Sequence, residues 1–327
     1  MIPAGARSAP PYLTIIVTGR NDDFGGDFNG RFFQALHFNH QQLAAADVTH
    51  EFVFVEWRPI DKRPLLASLL ADEFAELKSL PLRSYVVDPA YHDALSLNPR
   101  LQFQEFIAKN VGLRRARGEF VLTTNTDIYL SRGVIDCLQR RTLEHGVLYR
   151  AARHDLRPDR DVSAVDWDLL EDERNCEVVN RIKPPLFTNA SGDFLLLDCK
   201  TSHRLRGFNE VYRVAKIHID GNFCLKAHAS SVPIVDIGAP VYHVGRGTFH
   251  AQKGMYRARP GEAPWGDMRW RKSGVVYDNG DGWGLGLAPE RVNDRGTTFL
   301  TFDWHAVGPM VDLGRVVSPR QRQERAS

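Results

Sequence analysis

Four short apolar runs, each closed by polar or acidic residues, set the rhythm of the first 130 residues. Tyr12–Thr18 leads into Gly19-Arg20-Asn21-Asp22, and Phe52–Val55 closes on Glu56-Trp57. Tyr85–Val87 closes on Asp88-Pro89, and Phe120–Leu122 passes through Thr-Thr-Asn-Thr to Asp127. Apolar runs this short, rich in β-branched and aromatic residues, predict strands buried on both faces. Helical segments are expected between them, over about 31–46, 64–80 and 104–116. The first carries Phe32, Phe33, Leu36 and Leu43 partly on one face; Pro64 opens the second and Arg117-Gly118 stops the third. Strand alternating with helix predicts an α/β fold with a doubly wound, mostly parallel sheet flanked by helices. Parallel strands put their C-terminal ends on one edge, so Asp22, Glu56, Asp88 and Asp127 are expected along it.

The pattern weakens after residue 130. A helix is expected over Arg132–His145 and a strand over Val147–Arg150, followed by a charged excursion, Ala151–Arg181. Phe194–Leu197 reads as a strand entered from Asn189–Asp193, Thr201–Leu205 as a short helix and Ile219–Ala229 as a helix opened by Asp220. Val232–Val235 and Val241–His243 read as strands. Beyond Gly245 the chain is rich in Gly, Arg, Trp and Pro, and an irregular C-terminal extension is expected.

Composition narrows the class. The 327 residues are 43% hydrophobic and 25% charged, with a net charge of +2, which carries no nucleic-acid footprint. Cys137, Cys176, Cys199 and Cys224 form no C-x-x-C pair and are expected as free thiols in a cytoplasmic protein. No signal peptide and no membrane-spanning run is expected. The P-loop, G-x-G-x-x-G, G-x-S-x-G and H-E-x-x-H patterns are absent, which disfavours P-loop and dinucleotide enzymes, elbow-type hydrolases and zincins. A carboxylate at a strand end suits a hard divalent cation, and the cation suits a diphosphate. Asp127 is therefore the first candidate.

Four stretches carry a resemblance to a known family. They are Val55-Glu56-Trp57-Arg58-Pro59, the helix Ala108–Glu119, Thr124-Asn125-Thr126-Asp127, and the block from Gly192-Asp193-Phe194 through Gly207-Phe208-Asn209-Glu210 to Ile219-Asp220. In order and spacing they resemble the GT-A glycosyltransferases, most closely family-2-like members. The resemblance implies a nucleotide-sugar donor, expected as a UDP-sugar, a hydroxyl-bearing acceptor, a Mn²⁺ or Mg²⁺ cofactor and an inverting mechanism. It places Thr18, Arg20 and Asp22 at the base and ribose, Glu56 beside the nucleobase, and Asn110 on the helix facing the nucleotide. Asp127 and His243 become metal ligands, with Asn125 where a first acid usually stands. Asp220 becomes the general base, with Asp193 as its substitute. The implied catalytic domain covers 1–245, with a nucleotide half at about 12–130 and an acceptor half at about 131–245.

Plainer roles stand beside these. Asp127 and Asp220 suit helix caps, Asp193 a turn, His243 and His250 structural histidines, and Glu56 an ion pair with Arg58 or Lys62. Tyr242, Trp265, Trp270 and Trp283 either wall an acceptor site or anchor the tail. The glycines of Asp278–Gly286 permit a closing lid. Two rival functions remain: a nucleotidyltransferase acting on sugar phosphates, whose G-x-G-x-R type loop is missing, and a non-catalytic nucleotide- or carbohydrate-binding protein, favoured by Asn125.

Overall fold

The computed structural model describes residues 9–23, 26–74, 80–180, 182–213, 219–245, 276–277, 279–311 and 316–317. The expected parallel strands form: β1 (Leu13–Gly19), β2 (His50–Trp57), β3 (Leu82–Val87) and β4 (Phe120–Thr123). The segments between them fold as α1 (Phe28–Ala45), α2 (Leu66–Glu73), α3 (Pro89–Leu95) and α4 (Glu105–Arg115). β1 pairs in parallel with both β2 and β4, and β2 with β3. Every residue of β1 is buried. Its side chains alternate between two cores. Leu13, Ile15 and Val17 pack with Phe28, Phe32, Leu36 and Leu43 of α1. Ile16 packs with Ile107, Ala108 and Val111 of α4. Helices therefore cover both faces, which is why these strands read as continuous apolar runs. Gly112 lets α4 sit close: a Cβ there would stand 2.6 Å from Ile16 Cγ2.

The second half continues both layers. β5 (Ile128–Leu130) and α5 (Arg132–Gln139) precede β6 (Leu148–Arg150). Within the stretch expected as an excursion lie β7 (Arg153–Leu156), α6 (Trp167–Glu171) and β8 (Cys176–Asn180). Then come β9 (Leu195–Asp198), α7 (Cys199–Leu205), α8 (Ile219–Ala229), β10 (Ile234–Asp236) and β11 (Val241–His243). β9 joins the main sheet antiparallel to β4 and β6. A second, four-stranded sheet runs β5-β11-β7-β8.

The chain beyond 245 is more regular than its composition suggests. After β12 (Val276–Tyr277), β13 (Glu290–Val292) and β14 (Thr298–Leu300) extend the main sheet past β3, giving nine strands. The helix α9 (Trp304–Val311) buries Ala306, Val307 and Met310 in the same core as α4. β15 (Val316–Val317) pairs with β12. Residues 279–286 are anchored. Asn279, 1% exposed, donates to the Phe208 and Arg206 carbonyls, and Arg114 donates to those of Asp281 and Trp283. Trp283 is buried beneath Arg114 and His203, so it anchors the tail. His250, Trp265, Trp270 and Asp278 lie outside the described residues. Among the described residues no helix is long and apolar enough to cross a membrane.

Candidate active site

The small sheet builds a corner that the main sheet alone does not. β11 lies between β5 and β7, so His243 pairs with Ile128 on one side and Asp155 on the other. Asp127 immediately precedes β5, and its carbonyl accepts from the Val244 amide at 3.0 Å. Register thus brings three titratable groups together. His243 Nε2 lies 3.3 Å from Asp127 Oδ2, and Nδ1 lies 3.6 Å from Asp155 Oδ2.

Two arginines complete the corner. Arg31 of α1 places Nη1 3.3 Å from Asp127 Oδ2. Arg153 of β7 grips Asp155 through Nε at 2.5 Å and Nη2 at 2.8 Å, and its Nη1 donates to Asp193 at 3.0 Å. Burial alone would raise the Asp127 carboxyl, but His243 and Arg31 outweigh it and hold it below the usual range. Asp155 is likewise held down to about 2, burial being outweighed by His243 and Arg153. Burial disfavours a charged His243, yet Asp127 and Asp155 push it up to about 9. Arg153 Nη2, 2.9 Å from Nδ1, opposes this, because a guanidinium cannot accept and needs a lone pair there. The proton on His243 is therefore contested.

Asn125 stands one step behind Asp127, and the structure explains its identity. Lys109 Nζ donates to its Oδ1 at 2.8 Å, and its Nδ2 donates to Asp193 Oδ1 at 2.7 Å. Lys109 can only donate, and Asp193 Oδ1 accepts here, so the position needs one acceptor and one donor. An aspartate would offer two acceptors and set two carboxylates against each other. Asn125 is thus a connector in a network, with each end of its amide engaged. Lys109 is fully buried and spends its other protons on Glu105 and the Gly192 carbonyl, both at 2.9 Å.

The two candidate bases differ in freedom. Asp193, 5% exposed at its side chain, has both oxygens engaged, by Asn125 and by Arg153. Asp220, in the first turn of α8, is half-buried; its Oδ2 accepts from Ser191 Oγ at 2.9 Å and from the Gly192 amide at 2.8 Å. Its contacts fix the 191–193 turn, so Asp220 and Asp193 are neighbours across one short segment.

Two expected contacts find other work. Glu56 is fully buried, and its two oxygens each accept a backbone amide at 3.0 Å, from Leu66 and Ala67. It caps α2 and presents nothing to a nucleobase. Asn110 is fully buried as well. It donates to the Phe208 carbonyl and Glu210, and accepts from the Phe208 amide. It brackets the 207–210 turn. Thr18 is buried near the end of β1, and Arg20 reaches Asp22 at 3.1 Å and the Arg58 carbonyl at 2.9 Å. This second cluster ties the β1 and β2 ends together on the expected edge.

The donor atoms at the corner suit a divalent ion. Two neighbouring ligands at ~2.1–2.2 Å from one octahedral ion stand about 3 Å apart, close to the Asp127–His243 separation. A Cβ at Gly245 would stand 2.8 Å from His243 Nε2 and 3.3 Å from Asp127 Oδ2, so only glycine lets the backbone pass this close to both atoms. Among the described residues no group of three or more His, Cys, Asp and Glu could hold a metal. Such an ion would take its remaining ligands from water and substrate oxygens, as Mg²⁺-type ions do in nucleotide sites.

Parallel β1–β4, antiparallel β9 and a small second sheet carrying the acidic corner make a mixed α/β fold with a mostly parallel main sheet. The chain matches no protein-family profile and no curated protein sequence. Among solved structures it is similar to GalNAc-T7 with UDP, GalNAc and Mn²⁺, at 10% identity and a TM-score of 0.47 over 72% of this chain. It spans 44% of that chain. It is also similar to the catalytic domain of Drosophila β1,4-galactosyltransferase 7 in complex with xylobiose, at 11% identity and a TM-score of 0.38, covering 91% of this chain and 98% of that one. A third is a structure assigned as a Bacillus anthracis glucose-1-phosphate thymidylyltransferase in complex with sucrose, at 10% identity and a TM-score of 0.40, covering 74% and 93%. The nucleotide, ion and saccharides bound there belong to those proteins.

Arg31, Lys109 and Arg153 are functional candidates that sequence patterns did not single out. Lys109 left one trace: it and Asn110 are polar residues inside a helix buried from Phe106 to Leu113. Arg153 left none, since its strand, Arg-His-Asp-Leu, shows no apolar alternation.

Proposed function

We propose that the chain is a glycosyltransferase that moves a sugar from a nucleotide-sugar donor to an acceptor hydroxyl with inversion, UDP being the nucleotide to test first. The observation that carries this is the Asp127–His243 pair, 3.3 Å apart, on the edge where the parallel strands end. Asp127 and His243 are the residues that would hold Mn²⁺ or Mg²⁺, whose chemistry when bound is to offset the charge of the leaving diphosphate. The chain's own groups do the rest. The Thr18–Asp22 loop borders the base and ribose, and the acceptor lies toward the 191–193 turn. One oxygen of Asp220 removes the acceptor proton while Ser191 and Gly192 fix the other, Oδ2. Asp193, pinned by Asn125 and Arg153, orients the turn and is the poorer base. A single base on the face opposite the leaving group gives inversion.

Calorimetry and turnover test this together. Asp127→Ala should abolish Mn²⁺-dependent UDP binding; binding at wild-type affinity would remove the metal role. Asp220→Asn should bind UDP normally yet lose turnover by about 10²–10⁴-fold, the usual worth of a positioned base. Retained turnover would transfer the role elsewhere.

A further inference from the structure

Resting on the reading of this corner as a donor site, we infer that Arg31 is a resident counter-charge on Asp127. It holds the carboxylate that the ion would use, and it yields that carboxylate when ion and diphosphate arrive together. Loading of the two is thereby coupled through one side chain.

The geometry is a competition for one oxygen. Asp127 Oδ2 is approached by Arg31 Nη1 and by His243 Nε2, each at 3.3 Å. An ion ligated by Asp127 and His243 enters on that same oxygen, and like charges cannot share it closely. The two arginines of the corner are held differently. Arg153 is locked by both Asp155 oxygens and by Asp193, on a strand paired on both sides. Arg31 projects from the first turn of α1, and its Nε donates at 3.2 Å to the Gly26 carbonyl, in the loop before the helix. Its guanidinium is carried by a helix and not by a paired strand.

Charge balance gives the coupling its direction. Asp127, Asp155, Asp193 and Glu105 supply four negative charges, and Arg31, Arg153 and Lys109 supply three positive ones. Leaving His243 aside, the cluster carries one net negative charge, and His243 ligates an ion only as the neutral imidazole. A divalent ion alone overturns that balance and meets the Arg31 guanidinium. A nucleoside diphosphate restores it, and offers phosphate oxygens that a planar guanidinium binds well. Arg31 therefore opposes the ion alone and favours the ion with its diphosphate. By linkage, each ligand strengthens the other.

The test is a binding cycle on the full chain: titration of Mn²⁺ alone and of Mn²⁺ at saturating UDP, for wild type, Arg31→Met and Arg31→Lys. Arg31→Met should bind Mn²⁺ alone about tenfold more tightly, the order that removing a unit charge beside a partly solvated ion is worth. The strengthening of Mn²⁺ binding by UDP should shrink by a similar factor. Arg31→Lys, which keeps the charge, should stay close to wild type in both. Should Arg31→Met melt well below the wild type, Arg31→Gln reports the same two quantities. Unchanged or weaker Mn²⁺ binding in the uncharged variants, with Asp127→Ala still abolishing it, overturns the inference and leaves the donor-site reading standing. Mn²⁺ binding that does not depend on Asp127 removes both.

Discussion

Glu56 and Asp127 occupy equivalent places. Each comes after the apolar part of a parallel strand, β2 or β4, on the edge where an α/β sheet presents its ligands. Their fates are opposite. Glu56 is sealed inside with both oxygens on amides of α2. Its carboxyl is raised by burial, against those two bonds, and it works as part of the scaffold. Asp127 is partly open, faces Arg31 and His243, and is pushed the other way. The difference lies in the element that each strand leads into. After β2 the chain turns through Pro59 and Pro64 straight into α2, whose first amides need an acceptor. After β4 it crosses into a second sheet, whose strands bring a histidine and an arginine-bound acid alongside. Strand-end position proposes a ligand; the next element decides.

The sharpest break of this comparison is reciprocal substitution. Glu56→Ala should cost about 3 kcal/mol of stability, because two buried amides lose a charged acceptor, while UDP affinity of the folded protein stays unchanged. Asp127→Ala should change stability by no more than about 1 kcal/mol, its ion pairs being partly solvated, while ligand binding is lost. Chemical denaturation and calorimetry on both variants read the two effects. A stable Glu56→Ala that no longer binds nucleotide would reverse the assignment.

Asn125→Asp probes the network behind Asp127 and should have a somewhat smaller effect. The new carboxylate keeps the Lys109 bond but faces Asp193 where a 2.7 Å hydrogen bond stood. A loss of about 2 kcal/mol is expected near neutral pH, shrinking in acid as one of the two carboxylates takes a proton. Tighter metal binding without a stability cost would show instead that the position tolerates an acid and that Asn125 is no necessary connector.

The first half of the fold was legible because its strands are buried on both faces and say so in Leu, Ile, Val and Phe. Asp127 could be singled out as an acid that follows a buried strand, whereas His243, Asp193 and Asp220 were singled out through the resemblance to the GT-A glycosyltransferases. The second sheet was not legible, and the reason is physical. β7 reads Arg-His-Asp-Leu because Arg153 and Asp155 serve the corner, and residues that serve a site cannot also spell an apolar alternation. The C-terminal strands β13 and β14 are three residues each, too short for periodicity, and β13 is exposed along its length. The backbone contacts of Glu56 and Asn110 were not legible because sequence shows an acid at a strand end, or an amide on a helix, without showing which backbone groups nearby lack partners.

Glu210 falls between the two acids compared and gives the smallest and most specific effect. Like Glu56 it is buried, at 1% exposure. Only its Oε1 is bonded, to Asn110 Nδ2 at 2.9 Å and the Gly284 amide at 2.8 Å, while Oε2 has no hydrogen-bond partner among the described residues. Burial therefore pushes its carboxyl from 4.5 up to about 7, against the Asn110 and Gly284 bonds and the nearby Lys226. A raised acid binds its proton more tightly folded than unfolded. Its contribution is complete below the unfolded value near 4.5 and declines as pH rises through about 7. Glu210→Gln keeps the Oε1 acceptor and removes the charge. Measured by denaturation between pH 5 and pH 8, the wild type should lose roughly 1–2 kcal/mol relative to this variant across the interval. Parallel curves would mean that the unbonded oxygen is satisfied after all, and that Glu210 belongs with Glu56 among fully capped acids. Divergence would show that the donors an acid finds on folding, more than its depth, separate a scaffold carboxylate from one under electrostatic load.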